Sequence, residues 1–156
     1  MRHRLSAIAL FAATLGISAA AIAEPTAPDK VVFKENAVEQ SLTGKPGNAE
    51  NGKKWMINRK LGNCLACHKN EDMKDQLFHG DVGPPLDGTA SRWNAAQLRA
   101  IIVNPKKVFG DQTVMPAFYR DTGFYRPRKE FVGKSILNAE QVEDVVAYLS
   151  TLKDKQ

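Results

Sequence analysis

Cysteines and long apolar runs are scarce in this chain, and each scarcity removes a class of protein. Two cysteines, Cys64 and Cys67, are too few for a disulfide framework. A bridge between them would close so short a loop that it could stabilise a domain only slightly. A structural zinc ion would have only Cys64, Cys67, His68 and His79 to draw on after the first residues, and adjacent Cys67 and His68 cannot easily reach one tetrahedral ion together. Beyond residue 23 no segment is long and apolar enough to span a bilayer. Alternating stretches are limited to short pieces such as Val31 to Phe33, so the βαβ setting of a thioredoxin-like dithiol is missing. The formal charge is mildly basic, +5 over the chain and +3 once Arg2 and Arg4 are set aside. No Lys/Arg stripe or basic patch interleaved with aromatics accompanies it, so no nucleic-acid partner is expected.

What is present suits one helical domain. With 43% apolar and 25% charged residues over 156 positions, the chain can build one core and not two. Residues 1–23 carry Arg2 and Arg4, an apolar run from Leu5, and Ala21-Ile22-Ala23 before Glu24, the pattern of a cleaved secretory signal peptide. An uncleaved anchor is the alternative, since the run could just span a membrane. Residues 24–46 mix prolines, glycines and charges, and read as an extended arm laid over a surface, poorly able to pack alone and free to wrap a partner. Asn48 can cap a first helix in which Trp55 and Met56 share an apolar side, ending by Gly62. Residues 70–92 read as loop, with Gly80, Gly83, Pro84, Pro85 and Gly88 close together. Asn94 can cap a helix with Leu98, Ile101 and Ile102 on one face until Pro105 stops it. Asn138 and Gln141 form a capping-box pattern ahead of Val142, Val145, Val146, Leu149 and Leu152, which share one face. Gly52 and Tyr148 mark a close crossing of the first and last helices.

Residues 62–68 read GNCLACH and use every cysteine of the chain in one turn. Cys64 and Cys67, about one helical turn apart, can both form thioethers to one porphyrin, while His68 offers its ring to the iron. Covalently bound haem c, one per chain, is the cofactor this implies. Candidates for the sixth iron site are Met56, Met73, His79 and Met115. Met56 reads as core, and Met73 and His79 lie too near the haem turn to cross to the other face. Met115, stiffened by Pro116 in a loop between helices, is the expected distal ligand; the alternative is that it only fills the core. A neutral thioether favours ferrous iron and raises the potential relative to two histidines. Pro84 keeps a free carbonyl that can take the Nδ1 proton of His68, or else the GPPLDG segment is a plain turn. Arg92 and Trp93 are candidate donors to the haem propionates, with Trp93 as simple core the alternative.

The haem turn, GPPLDG, VMPAFY and the last amphipathic helix together resemble class I cytochromes c. The segments NRKLGNCLACHK, VGPPLDGTASRW, LRAIIVNPKKVFGDQTVMPAFYR and FVGKSILNAEQVEDVVAYLSTLK are similar to the SoxX family, the monohaem subunit of the periplasmic SoxAX complex. The resemblance implies a mostly α fold with long loops, divided as signal peptide 1–23, extended arm 24–46 and cytochrome c domain 47–153. It implies haem cysteines at Cys64 and Cys67, axial ligands at His68 and Met115, and a SoxA-type partner subunit. It also implies a part in L-cysteine S-thiosulfotransferase, which couples thiosulfate oxidatively to a cysteine of the SoxYZ carrier, with a small cytochrome c as a downstream acceptor and no membrane anchor. The chain's own residues limit that part. With both thiols held by haem and both iron sites filled, no open catalytic position remains, so the chain passes single electrons while its partner does the sulfur chemistry. A freely diffusing carrier, or a gas-binding or peroxidatic haem protein without Met115 on the iron, are the alternatives.

Overall fold

The computed structural model describes residues 24–154, so the expected signal peptide, 1–23, lies outside them. Five α-helices are described: α1 (Ala49–Ile57), α2 (Thr89–Arg92), α3 (Ala95–Val103), α4 (Pro105–Phe109) and α5 (Ala139–Leu149). Short 3-10 turns and long loops join them, and one bridge, Lys34 to Ala37, is the only β pairing among the described residues. This is the mostly α class with long loops expected from the sequence. None of the described helices is long and apolar enough to cross a membrane.

α5 organises the core. The Asn138 side chain accepts from the Gln141 N–H while the Gln141 side chain returns to the Asn138 N–H, a capping box worth about 1 kcal/mol. Behind it Val142, Val145, Val146 and Leu149 are buried, each contributing about 1.5–3 kcal/mol. α1 lies close against this helix because Gly47 and Gly52 lack side chains. A Cβ on Gly52 would sit 2.0 Å from the Asp144 carbonyl oxygen and 2.9 Å from Tyr148 Cβ. α3 carries its own capping box, Asn94 with Gln97, and buries Leu98, Ile101 and Ile102. Pro105 ends α3 as expected but also opens α4. At the first position of a helix its missing N–H has no partner to lose, and Asn104 caps the turn.

Two neighbouring acids on α5 tie the pieces together. Glu143 accepts from Arg99 Nε (2.7 Å) and Nη2 (2.9 Å) of α3 and from the Leu42 N–H (2.8 Å), while Arg99 Nη1 donates to the Val38 carbonyl (2.8 Å). Asp144 accepts from the Asn48 N–H (2.7 Å) and from Trp55 Nε1 (3.1 Å), fixing α1. The arm is therefore extended but not free, which corrects the expectation that it packs poorly alone. Val38 and Leu42 are each only 2% exposed, the Val38 N–H donates to the Ala96 carbonyl, and Tyr119 Oη donates to the Thr26 carbonyl (2.6 Å). Backbone groups of Thr26, Val38 and Leu42 are satisfied by the domain itself.

The loop expected over 70–92 contains two short elements. Asn70 caps a 3-10 turn over Glu71–Met73, and Gly88, at φ 67°, turns the chain into the single helical turn of α2.

Candidate haem site

Within the GNCLACH segment Asn63 lies in the left-handed region, φ 48°, a conformation Asn tolerates better than most residues. One 3-10 turn, Cys64–Ala66, follows. The Cys67 and His68 N–H groups both donate to the Cys64 carbonyl (3.1 and 3.0 Å), so both cysteines and the histidine leave one tight turn. All three line a cavity of about 440 Å³ whose walls are largely apolar, with Leu98, Ile101 and Ile102 from α3 and Val145 and Leu149 from α5. Burial pushes the Cys64 thiol up to about 12, with Cys67 adding to the rise and its own backbone hydrogen bond opposing it. As a free thiol it would stay protonated at neutral pH.

On one side of the cavity the Pro84 carbonyl lies 2.7 Å from His68 Nδ1. Donation of the Nδ1 proton to that carbonyl leaves the Nε2 lone pair available to a metal ion. The loop comes this near because Gly83 has no side chain: a Cβ there would meet His68 Cε1 at 2.3 Å. The Gly83 and Leu86 N–H groups donate to the Cys67 and Lys69 carbonyls (2.8 and 2.9 Å), which fastens the loop to the haem turn. Arg92 lines the cavity, and its Nη1 and Nη2 donate to the Asp87 and Pro85 carbonyls (2.9 and 3.0 Å). That brace is a role the sequence reading did not give it. Trp93 also lines the cavity and meets Phe109 edge to face at 6.0 Å.

Met115 lines the same cavity from a different segment. Lys106 of α4 donates to the Thr113 carbonyl (2.6 Å) and the Met115 carbonyl (3.3 Å), and the Phe118 and Tyr119 N–H groups donate to Ile102 and Val103 at the end of α3 (3.1 and 3.2 Å). Lys106 is a site residue that sequence reasoning missed, and its pattern gives no signal, because a lysine in a short helix reads as a solvated charge. Among the rival ligands, Met73 is fully buried and does not line the cavity, and His79 has Nδ1 facing the Asn70 N–H (3.2 Å) and Nε2 facing the Met73 carbonyl (3.1 Å). Met56 lines the cavity from the core side, 1% exposed.

A larger hollow of about 780 Å³ lies across the haem turn, lined by Arg59, Leu77, Phe78 and His79, but neither cysteine nor His68 faces it. Among the described residues, no three or more His, Cys, Asp and Glu side chains gather as a metal cluster. The smaller cavity fits haem better than a zinc ion: two thiols and an imidazole on one turn, a thioether from another segment, apolar walls, and a glycine where a side chain would block the histidine ring.

The cytochrome c family model matches residues 49–153. The chain belongs to the cytochrome c family. Cytochromes c bind haem c covalently, and this one has the cysteine pair and cavity to do so. The cytochrome is also similar to a chain of the crystal structure of SoxXA from P. pantotrophus, at 52% identity over 83% of this chain and 99% of that one, with a TM-score of 0.77. That likeness supports the resemblance to SoxX and with it a SoxX-like electron-transfer cytochrome. A match to the c-type cytochrome SorU from Sinorhizobium meliloti has 24% identity over 69% of this chain and 92% of that one, with a TM-score of 0.44, and carries no argument. No curated protein matches the chain.

Proposed function

We propose that this cytochrome is the electron-transfer subunit of a periplasmic SoxAX-type complex. The observation that carries the reading is the 52% identity, over nearly all of the matched chain, to a component of SoxXA. In this reading residues 1–23 direct export, 24–46 are the arm and 47–153 the haem domain. Cys64 and Cys67 would hold one haem c through thioethers, and His68 and Met115 would ligate its iron; when bound, it would supply one-electron redox chemistry. His68 is oriented by the Pro84 carbonyl and the close approach of Gly83. Met115 is held by Lys106 through the carbonyls on either side of Val114. The apolar walls exclude water and keep the local dielectric low, which with the soft thioether favours the reduced state. No thiol is left for sulfur chemistry. The partner, a SoxA-type subunit, couples thiosulfate to a cysteine of the SoxYZ carrier as L-cysteine S-thiosulfotransferase, and this chain hands the electrons to an acceptor such as a small cytochrome c.

A second reading, a freely diffusing carrier, is favoured by the arm, which packs on its own domain and so leaves the chain able to fold without a partner. Purification from thiosulfate-grown cells separates the two. A stable complex with a larger cytochrome, active in thiosulfate coupling only when both chains are present, is expected; a chain that purifies alone and leaves thiosulfate coupling intact when deleted would overturn it. The haem assignment is tested apart from this. Cys64→Ser should leave at most one thioether, and Cys64→Ser with Cys67→Ser should release all haem on denaturation.

A further inference from the structure

The long segment between Tyr119 and α5 holds the surplus of positive charge among residues 24–154. Residues 120–134 carry five cations, Arg120, Arg126, Arg128, Lys129 and Lys134, against Asp121 and Glu130, whereas residues 24–119 and 135–154 together carry 14 cations against 15 acids. Averaged over the whole sequence this looks mildly basic; in the fold it is one basic loop on a slightly acidic body. Aromatics are interleaved with the cations, contrary to the expectation from the sequence. Arg120 lies over the Phe124 ring at 4.5 Å and Arg128 over the Phe131 ring at 5.8 Å. Tyr125 is 92% exposed and Val132 63%.

Four of these five cations are not neutralised by an ion pair among the described residues. Arg128 pairs with Glu130 (2.6 Å), but Arg126, Lys129 and Lys134 are exposed and have no ion-pair partner among the described residues. Arg126 also sits at φ 50°, a left-handed conformation unfavourable for arginine. A strained residue at an exposed position, with no side-chain hydrogen bond, ion pair or ring contact among the described residues to offset it, suggests a use outside the chain. None of residues 120–134 lines the haem cavity, so this surface is separate from the haem site.

We propose that residues 120–134 form a docking surface for a carboxylate-rich face of another protein. The Arg120 guanidinium, already placed over the Phe124 ring, loses little freedom when a carboxylate binds, and exposed Tyr125 offers an amphipathic contact in the same loop. A membrane surface suits the loop less well, because the two phenylalanine rings that would enter lipid are covered by arginines. The contact is of the wet, charged kind, steered and salt-sensitive, unlike the charge-poor centre of a permanent interface. The inference rests on the loop's own charge and not on the SoxA-type partner.

The test uses the haem-loaded chain and poly-L-glutamate as the acidic probe. The triple variant Arg126→Gln, Lys129→Gln, Lys134→Gln should lose about tenfold in affinity. A control with the same charge change on the body, Lys45→Gln, Lys54→Gln, Lys60→Gln, should lose less than about twofold. Both should keep the haem absorption spectrum of the parent. Equal losses would reduce the effect to net charge and overturn the proposal. So would a parent chain that binds phosphatidylglycerol vesicles or oligothymidylate more tightly than the polypeptide, each of which would name a different class of partner.

Discussion

The helical frame behind the cavity and the loop-built wall around it are both held by polar contacts, yet of different kinds. In the frame, Glu143 and Asp144 are 3% and 4% exposed; Glu143 satisfies groups from the arm and α3 at once, and Asp144 holds α1 both at its N-cap and at Trp55. On the wall, the contacts are single carbonyls braced by long cations nearer the surface: Arg92 on Asp87 and Pro85, Lys106 on Thr113 and Met115. Buried pairs are expensive to break and insensitive to salt; half-exposed braces break at small cost. The frame should therefore set whether the protein folds, and the wall should set what the haem does.

Breaking the frame should give the largest effect. Glu143→Ala leaves the Arg99 guanidinium buried with the Val38 carbonyl as its remaining acceptor, and strands the Leu42 N–H. A loss of about 3–5 kcal/mol in denaturant unfolding is expected, with the spectrum of the protein that remains folded unchanged. A shifted spectrum at full stability would show that frame and wall are not separable. Gly52→Ala comes next. Its Cβ would overlap the Asp144 backbone, which no side-chain rotation can relieve, so α1 must move off α5. About 3 kcal/mol is expected, and a neutral outcome would mean that the two helices slide freely.

Met115→Ala tests the wall. The side chain is half-buried, so unfolding should change by only about 1–2 kcal/mol. The spectrum should change far more: loss of the methionine-to-ferric-iron charge-transfer band and a lower reduction potential. Persistence of that band would assign the sixth position to another residue, with Met56 the first to examine because it also lines the cavity.

The same division explains what could be read from the sequence. α3 and α5 were legible because Asn-x-x-Gln caps and a one-sided apolar face are local signals. Arg99 and Glu143 were not, since charged residues at those positions read as solvated and their pairing spans 44 positions. Pro105 read as a stop because proline's rule for helix interiors says nothing about the helix it can begin. In the wall, the cysteines, His68 and Met115 could be singled out by their chemistry, but the Arg92 and Lys106 braces depend on where backbone carbonyls fall in irregular loops, which no periodicity encodes.

Tyr148 lies where frame and wall meet and should give the smallest effect. Its hydroxyl donates to Asp72 Oδ2 (2.8 Å) and accepts from Asn70 Nδ2 (2.8 Å), joining α5 to the turn after the haem cysteines. Burial, then the hydrogen bond to Asp72, raises its pKa above the usual tyrosine value. The unfolded chain releases this proton near pH 10 while the folded one keeps it. The stabilisation is therefore complete below about pH 10 and drains away as pH rises toward the folded value. Tyr148→Phe should cost about 1 kcal/mol at neutral pH, because Asn70 is left with an unpaired buried amide. Above about pH 10 the variant's stability should fall less steeply than the parent's, so the two curves converge. Urea unfolding of both proteins across that range measures this difference directly, since the two proteins differ in this one group. Curves that stay parallel would mean that the tyrosine proton is not held by the fold, and that the link between α5 and the haem turn is packing alone.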